Sequence, residues 1–144
     1  MTADSRRQGD IEAFRQLKAR YFRAMDCKAW DALADCFSED LVADFRAAPG
    51  MLAEGRDNYM AQLRDALQDA STVHHGHLPE IELVDDSNAT GVWAMNDIVQ
   101  MPGILLEGWG HYHESYRKQG GEWKISRIRL TRLRLRINGE DQEV

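Results

Sequence analysis

The chain has 144 residues, 43% of them hydrophobic and 29% charged, as in folded domains and unlike disordered chains. Eighteen Lys and Arg stand against 24 Asp and Glu, and the net charge of −6 argues against a general nucleic-acid binder. The longest tempting apolar run, Ile104-Leu105-Leu106, falls far short of the roughly 20 residues a membrane span needs.

From the N-terminus, Met1 to Arg7 places no apolar core behind its charges, so no signal peptide is expected. Ile11, Phe14, Leu17, Tyr21 and Met25 recur every three to four residues and predict a helix, with Asp10 as its start cap. Cys27-Lys28 interrupts that phase. A second helix is expected over Trp30, Leu33, Ala34 and Phe37, ending near Ser38-Glu39-Asp40. Leu41, Ala43 and Phe45 alternate as in a strand, Pro49-Gly50 is a turn, and Tyr59, Met60, Leu63 and Leu67 mark a third helix from Asp57. The period then changes to two. Strands are predicted at Ile81–Val84, Ala89–Met101 and Trp109–Lys118, and a last strand or bent pair at Trp123–Ile137, with turns at Asp85–Asn88, Pro102-Gly103 and Gly120-Gly121. Helices followed by antiparallel strands predict an α+β domain, a cone-shaped barrel of N-terminal helices on a curved, mostly antiparallel sheet. One domain over 1–144 is expected, with its core in residues 10–137. With only Cys27 and Cys36, neither a disulfide scaffold nor a paired-cysteine metal site is expected, and the location expected is cytoplasmic.

In the last strand, Trp123 and Ile125 share one phase, Ile128 and Leu130 the opposite one, and Leu133, Leu135 and Ile137 shift again. Such shifts predict bulges. Arg132 keeps the phase of Ile128 and Leu130 and is aimed inward, whereas Arg127, Arg129, Arg134 and Arg136 read as a solvated face.

All five histidines fall in His74-His75-Gly76-His77 and His111-Tyr112-His113, and three readings stay open for them. His111-x-His113-Glu114 has the alternation of a metal site on a strand, although any alternate pair shares a face. One histidine paired with a carboxylate would serve acid–base chemistry, with Asp26 the natural partner at the end of the first helix. Tyr21 and Asp26 lie about 140° apart around a helix, so both address one cavity only if the helix ends near Met25–Asp26. The third reading is plain structural histidines, with Tyr21 a core residue and Asp26 a helix-junction cap. Asp97 shares a phase with Trp93, Met95 and Val99, but Val92, Ala94 and Ile98 are as apolar, so the strand reads as buried on both sides.

Asp10-Ile11-Glu12-Ala13, Leu17-Lys18, Tyr21-Phe22-Arg23, Asp26, Trp30-Asp31 and Leu33 resemble the opening of the SnoaL-like branch of the nuclear-transport-factor-2-like superfamily. His74-x-Gly76-His77-x-Pro79-Glu80-Ile81, Ala89-Thr90-Gly91-x-Trp93 and Asp97 extend the resemblance, as do Tyr112, Tyr116 and Gly121-x-Trp123-x-Ile125. Within the branch the chain looks most like the bile-acid 7α-dehydratases. That resemblance implies catalytic roles for Tyr21, Asp26, His74 and Asp97, and substrate-binding roles for Arg132, Trp93 and Tyr112. It implies cofactor-free, metal-free removal of water from a hydroxylated 3-oxo-Δ4 steroid or bile-acid-type substrate, with or without a coenzyme A linkage. It also implies a homo-oligomer, trimer or dimer, with no nucleic-acid or membrane partner. Phe45–Glu54 and Gln100–Gly110 depart from the pattern. Elimination or isomerisation of a polyketide or halogenated ring, a non-catalytic ligand-binding module and a metal enzyme built on the histidines remain as alternatives.

Overall fold

A computed structural model describes residues 2–144. Helix α1 (Ala3–Asp26) starts before the Asp10 cap expected from the sequence, because the Thr2 hydroxyl accepts the Ser5 N–H at 3.1 Å. Asp10 lies inside the helix, where its carboxylate accepts the Trp123 indole N–H at 3.0 Å. The apolar stripe buries Phe14, Leu17, Tyr21 and Met25, and Lys18 with them. The helix stops where the periodicity breaks. Lys28 turns into the left-handed region at φ 58°, and the Ala29 N–H closes onto the Ala24 carbonyl at 2.9 Å.

Helix α2 (Trp30–Ala34) is shorter than expected, and Phe37 instead opens strand β1 (Phe37–Asp44). Its ring packs edge-on against Tyr21 and Tyr59. The helical spacing from Trp30 to Phe37 thus arises from two elements that share one core. Strand β2 (Leu52–Glu54) pairs with β1, and helix α3 (Arg56–Leu67) buries Tyr59 and Leu63. Strands β3 (Ser71–Leu83), β4 (Asn88–Met101), β5 (Ile104–Gln119), β6 (Glu122–Ile137) and β7 (Glu140–Gln142) complete the chain. The sheet order is β2-β1-β6-β5-β4-β3 with β7 beside β6, and among these pairings β1–β6 is parallel while the rest are antiparallel. The N-terminal helices pack on this curved, unclosed sheet to make the expected α+β cone.

Three details position the site. The strand expected at Ile81–Val84 is the end of a longer β3 that includes all of His74–His77, and the one expected from Trp109 begins at Ile104. The phase shifts in β6 are bulges: its pairing with β5 skips Ser126 and Leu133, and Leu133 is turned out to 70% exposure. The bulge at Ser126 brings Ile128, Leu130 and Arg132 onto the concave face of Trp123 and Ile125, and the one at Leu133 returns Leu135 to it. On β4 the face carrying Trp93, Met95 and Asp97 is buried, but Ala94 and Ile98 are exposed, so the strand is not covered on both sides as expected. Among the described residues no helix is long and apolar enough to cross a membrane.

Candidate active site

Between the helices and the sheet lies a cavity of about 320 Å³, within the usual 300–1,000 Å³ range of small-molecule sites. Its walls are mostly apolar, with Met25, Phe45, Met51, Leu63, Val99 and Leu130 among them. Six polar residues reach the same space: Tyr21, Tyr59, His74, Asp97, Tyr112 and Arg132. Asp26 stands behind His74 and reaches the cavity through it.

The Asp26–His74 pair follows from local structure. Asp26 is the last residue of α1, and β3 runs beside it with Thr72 and His74 on its inner side. The Asp26 carboxylate accepts the His74 backbone N–H at 2.8 Å, the Thr72 hydroxyl at 2.9 Å and the His74 Nδ1–H at 2.7 Å. Lys28 Nζ donates in turn to Thr72 Oγ1 at 3.3 Å. A carboxylate that accepts from Nδ1 fixes the tautomer and leaves the Nε2 lone pair free to take a proton. Burial works to raise the Asp26 carboxyl, but the hydrogen bonds from His74 and Thr72 outweigh it and hold the value below 3.8. Stability from this depressed group is complete above its unfolded value and lost as pH falls through the folded one. Unfolding midpoints measured from pH 6 down to pH 2 are expected to fall more steeply in the parent than in Asp26→Asn. Other depressed carboxylates, such as Asp44 at about 2, shape the curve in both proteins and cancel in the comparison. Parallel curves would remove Asp26 from the account of acid stability.

Opposite His74 on β4 is Asp97, its register partner. Asp97 forms a bidentate pair with Arg132, the longer bond 3.0 Å, and both side chains are nearly inaccessible. Gly108, the register partner of Asp97 on β5, makes the pair possible, since a Cβ there would lie 1.9 Å from Arg132 Nη1 and 2.3 Å from Asp97 Oδ1. Gly108→Ala is expected to cost about 1–3 kcal/mol in denaturant unfolding, the usual range for overpacking. An unchanged midpoint would mean that the pair moves aside freely.

Tyr21 and Tyr112 are buried, with ring centres 6.0 Å apart. Burial, and then each phenol's charged or polar neighbours, push both hydroxyls well above the ordinary tyrosine value, so both stay protonated donors.

Two expected placements change. Trp93 is on the concave face but outside this cavity, near Phe22 and Gly76, where its indole N–H is held by the Tyr116 hydroxyl at 2.9 Å. A substrate-binding role for Trp93 therefore lacks contact with the cavity. The His111-x-His113-Glu114 stretch does not converge either. Glu114 points inward to Lys18 at 2.6 Å, whereas alternation turns His111 and His113 outward, and His113 Nε2 meets Thr131 Oγ1 at 3.0 Å. His75 and His77 are exposed on the same outer face. Sequence reasoning missed Thr72, signalled only by its i, i+2 relation to His74, and the Lys18–Glu114 pair, which spans 96 positions without a signal.

The profile of the SnoaL-like domain family matches residues 6–129, most of the chain. The chain belongs to the SnoaL-like family. Among curated proteins this SnoaL-like domain is similar to the probable cyclase FGR4 of Gibberella zeae, with 22% identity over 129 residues, 81% of this chain and 86% of that protein. A candidate scytalone dehydratase from Novosphingobium aromaticivorans has the same fold, at TM-score 0.81 and 24% identity, covering 96% of this chain and 91% of that one. So does a hexachlorocyclohexane dehydrochlorinase, LinA-type3, from Novosphingobium barchaimii, at TM-score 0.82 and 14% identity over 99% of each chain.

Proposed function

We propose that the protein is a cofactor-independent lyase that removes water from a hydroxylated enone of steroid size, such as a 7α-hydroxy-3-oxo-Δ4 steroid. The observation that carries this reading is the convergence of the His74–Asp26 pair and the protonated phenols of Tyr21 and Tyr112 on one apolar cavity. His74 Nε2 takes the C6 proton, and Asp26 supports the imidazolium that forms. The electron pair of the C–H bond moves through the C4–C5 double bond to the C3 oxygen. Tyr21, with Tyr112 beside it, donates to that oxygen as charge develops. The dienolate then reforms the ketone and expels the C7 hydroxyl, which takes a proton back from the imidazolium and leaves as water. The Asp97–Arg132 pair offers a fixed polar wall for the leaving oxygen. An enone is its own electron sink, so the chemistry asks no metal of these residues.

Dehydratase, dehydrochlorinase and cyclase names among the similar proteins support elimination on a hydrophobic substrate and favour a second reading, elimination from a halogenated or polyketide ring by the same base. The test incubates the protein with 7α- and 7β-hydroxy-3-oxo-Δ4 steroids, free and as coenzyme A thioesters, and with chlorinated rings. The first reading expects extended-dienone absorbance from the 7α substrate. Chloride release with no dienone would replace it by the second. Exposed Val73, Ile98 and Leu133 on the outer sheet face support a homo-oligomer, trimer or dimer. Sedimentation should give one species of two or three chains, and a monomer would end that proposal.

A further inference from the structure

Behind two of the cavity tyrosines, Tyr21 and Tyr112, lies a buried charge that the dehydration itself does not use. Lys18 is 1% exposed, and its ammonium donates to Glu114 Oε2 at 2.6 Å. The same nitrogen sits 3.7 Å from the ring centre of Tyr21 and 3.8 Å from that of Tyr112. The other Glu114 oxygen accepts from the Tyr116 hydroxyl at 2.7 Å, which holds Trp93. Taking two charges out of water is costly, and well-packed apolar side chains often stabilise a core as well or better. Stability alone therefore gives little reason for a cation at this place.

We infer that Lys18 is a positioning residue, whose ammonium, held charged by Glu114, fixes the rings of Tyr21 and Tyr112 and strengthens their hydroxyls as donors to a developing oxyanion. The inference rests on the reading of Tyr21 as the oxyanion donor. A cation on a ring face is attracted by the π electrons and draws density from the ring, so negative charge on the phenol oxygen costs less. No water screens the effect, because Lys18, Tyr21 and Tyr112 are all buried. Burial works to lower the Lys18 ammonium and Glu114 opposes it, which is the part the carboxylate plays. Glu114 also acts directly on both phenols in the opposite sense, so neutralising the whole pair reads the net effect.

The test needs no substrate. Tyr21 is replaced by a polyfluorinated tyrosine, whose phenol ionises at lower pH than tyrosine, and its titration is followed by absorbance and fluorine resonance. In Lys18→Met/Glu114→Gln the phenol should become about tenfold less acidic, one unit of pKa. Lys18→Arg, which keeps the charge, should stay near the parent. An unchanged or more acidic phenol in the neutral pair would overturn the inference and leave Lys18 a structural residue. If the glutamine variant does not fold, Lys18→Met/Glu114→Met gives the same comparison with an apolar pair. In turnover, the neutral pair should lower kcat about tenfold with KM nearly unchanged, and that loss should vanish when Tyr21 and Tyr112 are already Phe. A loss that persists in the Phe background would also overturn it. A parent protein without dehydratase activity would instead count against the proposed function, while the phenol titration still decides the role of Lys18.

Discussion

Asp26→Asn and His74→Ala are each expected to lower turnover by about 10²–10⁴-fold, the range of general-base catalysis, with the double variant little worse than the worse single one. His74→Ala removes the group whose Nε2 takes the proton. Asp26→Asn keeps the shape of the side chain but replaces the acceptor of the Nδ1–H bond at 2.7 Å by a neutral amide. The imidazolium then loses its counter-charge, and an amide N–H facing Nδ1 favours the tautomer with the proton on Nε2, where it blocks the base. Steady-state kinetics on the three variants checks this, with circular dichroism as the folding control. The control matters because Asp26 also accepts the His74 backbone N–H and the Thr72 hydroxyl, so β3 leans on it. Losses that multiply fully would mean that the two residues act independently, and the paired base would be the wrong description.

Tyr21→Phe is expected to lower kcat by about 10–10³-fold while substrate affinity changes little, reaching the cost of one lost oxyanion donor at its upper end. The Phe ring keeps the packing against Phe37 and Phe22 and leaves the α1 stripe apolar, so the fold should tolerate it. What disappears is one O–H of a residue that lines the cavity. Its contact is stronger in the transition state than in the ground state, so the loss belongs in kcat. Direct binding of the dienone product to both proteins is the control. Unchanged turnover in folded Tyr21→Phe would return the residue to the core, with Tyr112 and Tyr59 as the remaining phenols on the cavity.

The sequence carried more of the fold than of the site. The two phase shifts in β6 were readable because a bulge moves every later side chain to the other face, and Leu133 and Ser126 are the residues skipped. Phe37 was not readable as strand, since its spacing from Leu33 is helical whichever element it occupies. The length of β3 was hidden for a reason tied to the site: its inward positions Thr72, His74 and Gly76 are polar or small, so no apolar alternation marks them. Trp93 shows the limit of reasoning from a shared face. It lies on the same side of β4 as Asp97, but four residues along a strand is about 13 Å, enough to put it beyond the cavity. The resemblance implies Tyr21, Asp26 and His74 as a set, whereas the residue pattern alone offers Asp26 as a histidine's partner and keeps a core tyrosine and a helix-junction cap as alternatives. The Lys18–Glu114 pair joins α1 to β5, and only the folded chain brings its members together.

The central claim is that His74 removes a proton from carbon beside an enone. It is tested most directly with a 3-oxo-Δ4 steroid lacking the C7 hydroxyl, which has nothing to expel. In deuterium oxide the parent protein should exchange the C6 proton of this compound for deuterium, visible by proton NMR as loss of that signal, and His74→Ala should not. No exchange with the parent, or equal exchange with His74→Ala, would contradict the account.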